Sequence, residues 1–185
     1  EAPAVPELVS FTDSLGRTVE LPADITRIAP SGAVATMILA AIAPECMVTV
    51  NATPSESQMA FLPANLASLP ETGQMYGSKA NLNLETLLAA DPQVVIDLGD
   101  KKGDMTEDLN ALQEQIGIPV IFVEADLAHM AAAFRTLGGL LSGKAARGEE
   151  LANLVDRTTA LAEENAAKIT DDMRVRAMYT TGDDG

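Results

Sequence analysis

Apolar residues fall along this chain in two rhythms, and Asn81–Gly99, NLNLETLLAADPQVVIDLG, shows both side by side. Leu84, Leu87 and Leu88 have the i, i+3, i+4 spacing of one helical face. Asn83 is placed to cap that helix, and Glu85 in its first turn suits the positive end of the dipole. Pro92 cannot continue a helix and disfavours helical geometry at Asp91. Val94, Val95 and Ile96 then run apolar without alternation, as a strand covered on both faces does. This strand leaves its sheet at Leu98-Gly99-Asp100, the end at which open α/β sheets hold ligands.

The same two rhythms recur on either side. A flexible lead-in is expected over residues 1–7. Val9 and Phe11 alternate, Asp13-Ser14-Leu15-Gly16 supplies a turn, and Val19 and Leu21 alternate again, which predicts a β-hairpin. Strands are predicted at Ile25–Ala29 and Met47–Val50, with a helix from Ala33 to Ala43 between them, closed by Pro44. Asn51–Gly73 is punctuated by Pro54, Pro63 and Pro70 and reads as loop with short helices at most. Lys101–Asp104 is a polar loop. Met105, Leu109, Leu112 and Ile116 line one side of a helix that Gly117 ends. A buried strand over Pro119–Val123, a helix over Leu127–Leu141 and a break at Ser142-Gly143 follow. One long helix, Lys144–Ile169, is then predicted, about 35–40 Å in length. Arg174–Tyr179 reads as a last strand.

Strands alternating with helices predict an α/β fold: a parallel-sheet, three-layer lobe with helices on both faces, followed by a long helix. The expected divisions are a lobe over residues 1–143, the connecting helix over 144–170, and the first strand of a second unit over 171–185. A helix this long does not cross back over a small sheet, so it is expected to lead to a second domain cut off from this chain. The missing initiator Met and signal peptide suggest a processed or trimmed product.

Composition narrows the function. With a formal net charge of −15 and pI near 4.2, the chain makes a poor nucleic-acid binder. No apolar run reaches the roughly 20 residues that span a bilayer. Cys46 is the only cysteine, so no internal disulfide forms, and its setting predicts a buried, inert thiol. His129 lies among alanines with no nearby carboxylate or Cys cluster in view, so no metal site is expected. Gly138–Lys144, GGLLSGK, superficially fits a phosphate-binding loop. Ala145 stands where such loops need Ser or Thr, and the segment joins two helices instead of following a strand. No nucleotide fingerprint or nucleophile set can be assembled, which argues against a small α/β enzyme, the competing class; an interaction module of a larger assembly is a third.

TDSLGRTVELP, ITRIAPSGAVATMILAA, NLETLLAADPQVVI, GIPVIFV and FRTLGGLLSGKAARGEELANLV, in this order and spacing, resemble the substrate-binding proteins of ABC importers for iron complexes, haem and cobalamin. The resemblance covers residues 11–180. It implies two α/β lobes joined by a rigid helix, ligand held between them, an extracytoplasmic location (periplasmic or lipid-anchored), and no enzymatic activity or cofactor. The loops it implies to face ligand are Pro30, Ser31, Gly32 and Ala33; the stretch Met75–Asn81, above all Tyr76, Gly77, Ser78 and Lys79; and Gly99, Asp100, Lys101 and Lys102. Glu85 matches the glutamate by which the first lobe docks on an arginine of the permease. Gln93 departs from the family's usual aspartate, at a structural position.

Lys79, Lys101 and Lys102 are three of only five lysines, all in these loops, and would attract an anionic ligand to an otherwise acidic protein. Tyr76 lies where some haem-binding relatives place an axial ligand, with Met75 beside it as a soft donor. The expected partners are an iron complex (ferric siderophore or haem) or, alternatively, a corrinoid, together with a membrane ABC permease. With half the cleft absent, weak ligand binding and self-association are expected.

Overall fold

The computed structural model describes residues 7–75, 80–103 and 105–178. β1 (Leu8–Thr12) and β2 (Thr18–Pro22) form an antiparallel hairpin. β3 (Ile28–Pro30) leads into α1 (Ala33–Ile42). α2 (Glu56–Met59) is a single turn within a long connection to α3 (Leu84–Ala89). β4 (Val94–Gly99), α4 (Met105–Ile116), β5 (Val120–Glu124), α5 (Met130–Leu140) and α6 (Ala145–Ala166) complete the chain. β3, β4 and β5 make one parallel sheet in that order, with Val95 opposite Ala29 and Val120.

Two cores lie on the two sheet faces, as a strand apolar on both sides requires. Val94, Ile96 and Leu98 of β4 pack with Leu39 of α1, Phe134 and Leu137 of α5 and Ala152 of α6. Val95 packs on the other side with Leu87 of α3, Leu109 and Leu112 of α4, and Phe122. The four positions read as the inner face of α4 are all buried. Cys46 is buried too, and burial pushes its thiol up.

Several local expectations hold for the stated physical reason. The Asn83 side chain accepts from the Thr86 N–H at 3.1 Å, capping α3. Asp91, before Pro92, has φ 49° and ends it. Gln93 fills its structural role: Oε1 accepts from the Thr26 and Arg27 N–H groups at 2.8 and 2.9 Å, and Nε2 donates to the Asp24 carbonyl at 2.8 Å. That clip takes Thr26 and Arg27 out of the sheet, so β3 begins at Ile28 and not at Ile25.

Other expectations need correction. Met47–Val50 makes only isolated parallel bridges, Met47 to Ile28 and Val50 to Glu71, because β3 offers just three residues to pair with. Leu88 is 46% exposed and shares no buried face with Leu87; six residues of helix present only one side to the core. Val9 is exposed because β1 is the outer strand of its ribbon and meets the core only through the half-buried Phe11, while β2 buries Val19 and Leu21. α5 starts at Met130, since the Asp126 side chain accepts from the His129 N–H at 2.8 Å and caps a turn first. α6 runs 22 residues, about 33 Å at 1.5 Å per residue. Residues 174–178 pair with no strand among the described residues; Tyr179 lies outside them.

The apparent phosphate-binding loop has another use. Gly138 of α5 and Gly148 of α6 face each other so closely that a Cβ on Gly148 would stand 2.5 Å from the Phe134 carbonyl. The glycines let two helix backbones touch, and Gly143, at φ 71°, makes the turn between them.

Candidate ligand cleft

A parallel sheet gathers its loops at the C-terminal ends of its strands, and a cleft of about 350 Å3 lies there. Ser31 and Gly32 follow β3. Ala33, Val34 and Ala35 are the first turn of α1. Leu98, Gly99 and Asp100 end β4, Phe122 and Ala125 come from β5 and its exit, and Lys102, Met105 and Gln74 close the sides. Gly99 has φ 147°, a conformation open to glycine, so the chain turns off the sheet at the point that the sequence indicated.

The first turn of α1 carries no side-chain cap, and the N–H groups of Ala33, Val34 and Ala35 have no acceptor among the described residues. They leave partial positive charge at the cleft. A buried acid, Asp97, also lines the cleft; it is 4% exposed, one carboxylate oxygen accepts from the Ser31 hydroxyl, and Oδ2 has no partner among the described residues. Burial pushes its carboxyl above the ordinary 3.8, against the pull of the Ser31 hydroxyl, the Leu98 N–H, and the charges of Lys102 and Arg17.

The side of the cleft is tied to the loop after Val50. The Met75 N–H donates to the Ser31 carbonyl at 2.9 Å, and Gln74 and Asn81 bond to each other through main chain and side chain. Gly73 is required there: its φ is 78°, and a Cβ would fall 2.5 Å from the Asn81 carbonyl oxygen.

Of the residues implicated from sequence, Ser31, Gly32, Ala33, Gly99, Asp100 and Lys102 line the cleft together. Pro30 is buried within β3, behind the lining, and Lys101 is exposed beside it without lining it. Tyr76, Gly77, Ser78 and Lys79 lie outside the described residues. Glu85 is exposed in the first turn of α3. Sequence reasoning missed Asp97, whose signal was a lone acid inside an otherwise apolar strand. It also missed Val34, Met105, Phe122 and Ala125, whose spacing marks them only as core.

His129 does have carboxylates near it. Donor atoms of Glu124, Asp126 and His129 lie within 4.8 Å of one another, and His129 Nδ1 is 2.7 Å from Asp126. The N–H of His129 holds the exposed Asp126 carboxyl below its usual range. The trio stands where the chain leaves β5, and Asp126 caps the turn there by accepting from the His129 N–H.

Comparison with known proteins follows this geometry. The periplasmic binding protein family model matches residues 31–185, and the chain belongs to that family. This is a family of solute-binding components of transport systems, not of enzymes. Among solved structures, the chain is similar to an ABC transporter solute-binding protein from Sulfurospirillum deleyianum: 26% identity, TM-score 0.76, over 89% of this chain and 51% of that one. It shares its fold with the molybdate periplasmic binding protein MolA of Haemophilus influenzae, at 18% identity and TM-score 0.70, over 91% of this chain and 56% of that one. It likewise shares it with the periplasmic heme-binding protein RhuT of Roseiflexus sp. RS-1, at 24% identity and TM-score 0.56, over 80% and 52%. The chain thus spans about half the length of these relatives. No curated protein matches it significantly.

Proposed function

We propose that this chain forms the ligand-receiving lobe of an extracytoplasmic solute-binding component of an ABC transporter, and that its cargo is an iron complex, a ferric siderophore or haem. The observation that carries this is the cleft itself: an open hollow at the C-terminal ends of β3, β4 and β5, edged by Lys102, with Lys101 exposed beside it. Capture needs no chemistry beyond shape, donors and charge. A second lobe would cover the ligand, and α6, whose only glycine is locked against α5, would keep the hinge motion small. Likeness to a heme-binding protein favours the haem form of the reading, and likeness to a molybdate-binding protein makes an oxyanion the second reading. Cobalamin is a third.

Glu85 is the proposed contact with the permease. It is exposed at a helix start, free to pair with an arginine, and Leu88 one turn further on is an exposed apolar neighbour on the same side. Whether such a protein is lipid-anchored belongs to the same proposal.

The test is thermal unfolding with haemin, ferric siderophores, cobalamin and molybdate added one at a time. A rise in Tm with haemin or a ferric siderophore alone is the expected result. A rise with cobalamin or molybdate alone would replace the cargo, and no rise with any of the four would overturn the iron-complex reading.

A further inference from the structure

Three side chains with metal-binding chemistry converge outside the cleft. Glu124, Asp126 and His129 follow one another at the end of β5, with donor atoms within 4.8 Å of one another. None of the three lines the cleft, although Ala125, between the first two, does. The imidazole sets the group apart from an ordinary acidic patch, and His129 is the chain's only histidine.

Their backbones are fixed without any ligand. Glu124 is the last residue of β5, paired with Gly99 of β4, and its N–H donates to the Ser14 hydroxyl at 2.9 Å. The Ala125 N–H donates to the Gly99 carbonyl at 2.9 Å. Asp126 holds the turn that brings His129 back: its Oδ1 accepts from the His129 N–H at 2.8 Å and stands 2.7 Å from His129 Nδ1. A strand end and a capped turn thus present the donors together.

The charges there call for a cation. Elsewhere Asp13 is matched by Arg17, Glu45 by Lys144, and Glu149 and Asp156 by Arg135. Glu124 makes no ion pair among the described residues, and Asp126 meets only His129. Two carboxylates this close repel each other, and one imidazole, even protonated, offsets only one of the two charges.

We propose that Glu124, Asp126 and His129 form a binding site for a divalent first-row transition-metal ion. One nitrogen and two carboxylate oxygens suit Zn2+, Co2+ or Ni2+, whereas Mg2+ and Ca2+ prefer oxygen alone. Donors about 2.0–2.2 Å from such an ion stand about 3–4 Å from one another, so the present 4.8 Å limit is closed by side-chain rotation. Nδ1 takes the metal as the neutral tautomer with its proton on Nε2. The His129 N–H stays on the Asp126 carboxylate, so the cap survives. Three protein donors leave a tetrahedral ion one position for water. The bound ion ties the exit of β5 to the start of α5.

Zn2+ titrated calorimetrically into the full chain, in a buffer that does not chelate it, should bind at one site and raise Tm. Mg2+ should bind more weakly by about tenfold or more. His129→Ala, Glu124→Gln and Asp126→Asn should each weaken Zn2+ by at least about tenfold, the loss that follows even removal of a residue behind a metal ligand. None of the three side chains is buried, and Asp126→Asn keeps an acceptor for the cap, so Tm without metal separates folding from binding. No binding of Zn2+, or Mg2+ bound as tightly, would overturn the proposal. Zn2+ affinity unchanged in His129→Ala would overturn it too, by placing the ion elsewhere on an acidic surface. The iron-complex reading rests on other residues and is decided separately, by haemin and the ferric siderophores.

Discussion

Asp97 is a buried acid at the lining of the cleft, where folding takes a carboxyl out of water. Its carboxyl titrates above 3.8 because burial disfavours the charge. The folded state therefore holds its proton to a higher pH than the unfolded state does, and the stability this lends is complete below 3.8 and lost as pH rises through the folded value. Asp97→Asn should abolish this loss, so that the variant gains on the wild type as pH is raised from below 3.8 and stays the more stable at neutral pH. Urea unfolding of both proteins at a series of pH values measures it; a variant less stable than wild type at neutral pH would contradict the account. Few such residues are legible in a sequence. An acid inside VVIDLG says only that something unusual happens, not that Ser31, 66 positions earlier, answers it.

Elements were far more legible than their edges. Period and punctuation located α4, β4, β5 and the hairpin within a residue or two. Two of the misses share a cause: side chains taking over backbone groups that the pattern assigns to a ladder or helix. Gln93 does this to β3, and Asp126 to α5. The hairpin turn does it constructively. Asp13 is buried and accepts from the Leu15 and Arg17 N–H groups at 3.0 Å, while its Oδ2 takes Arg17 Nη2 at 2.7 Å and the Phe122 N–H at 3.3 Å. Arg17 also donates to the Val120 carbonyl at 2.6 Å, and the Ser14 N–H to that of Phe122 at 3.0 Å. The turn covers the outer edge of β5, which would otherwise expose unpaired backbone. Arg17→Ala leaves Asp13 as an uncompensated buried charge, and should lower the unfolding free energy by about 3–5 kcal/mol. Chemical denaturation decides; a loss below about 1 kcal/mol would show the pair to be worth no more than a surface one.

For the whole molecule, the cleft and the proposed permease contact belong to different surfaces, and they are expected to fail independently. Glu85→Ala removes an exposed carboxylate outside the cleft lining. It should reduce uptake in cells that carry the intact transporter, by about tenfold or more for a lost charge-assisted pair, while ligand-induced Tm shifts stay at wild-type size. Unchanged uptake would remove Glu85 from the docking surface. The charge balance gives such a protein its general character, since a net −15 keeps it apart from acidic neighbours. Lys102 at the cleft and Lys101 beside it set positive charge next to Asp97 and Asp100.

The clasp between the hairpin turn and β5 also sets an order of events. Asp13 and Phe122 are 109 positions apart, so Asp13, though paired at once with nearby Arg17, waits for a much later segment before its last hydrogen-bond partner arrives. Closing so long a loop is slow relative to local helix formation. Until it closes, β5 offers its open side to any extended peptide nearby. For a chain proposed to act outside the cytoplasm, that delay is an asset: a polypeptide whose distant segments have not yet met is one that an export machinery can still thread.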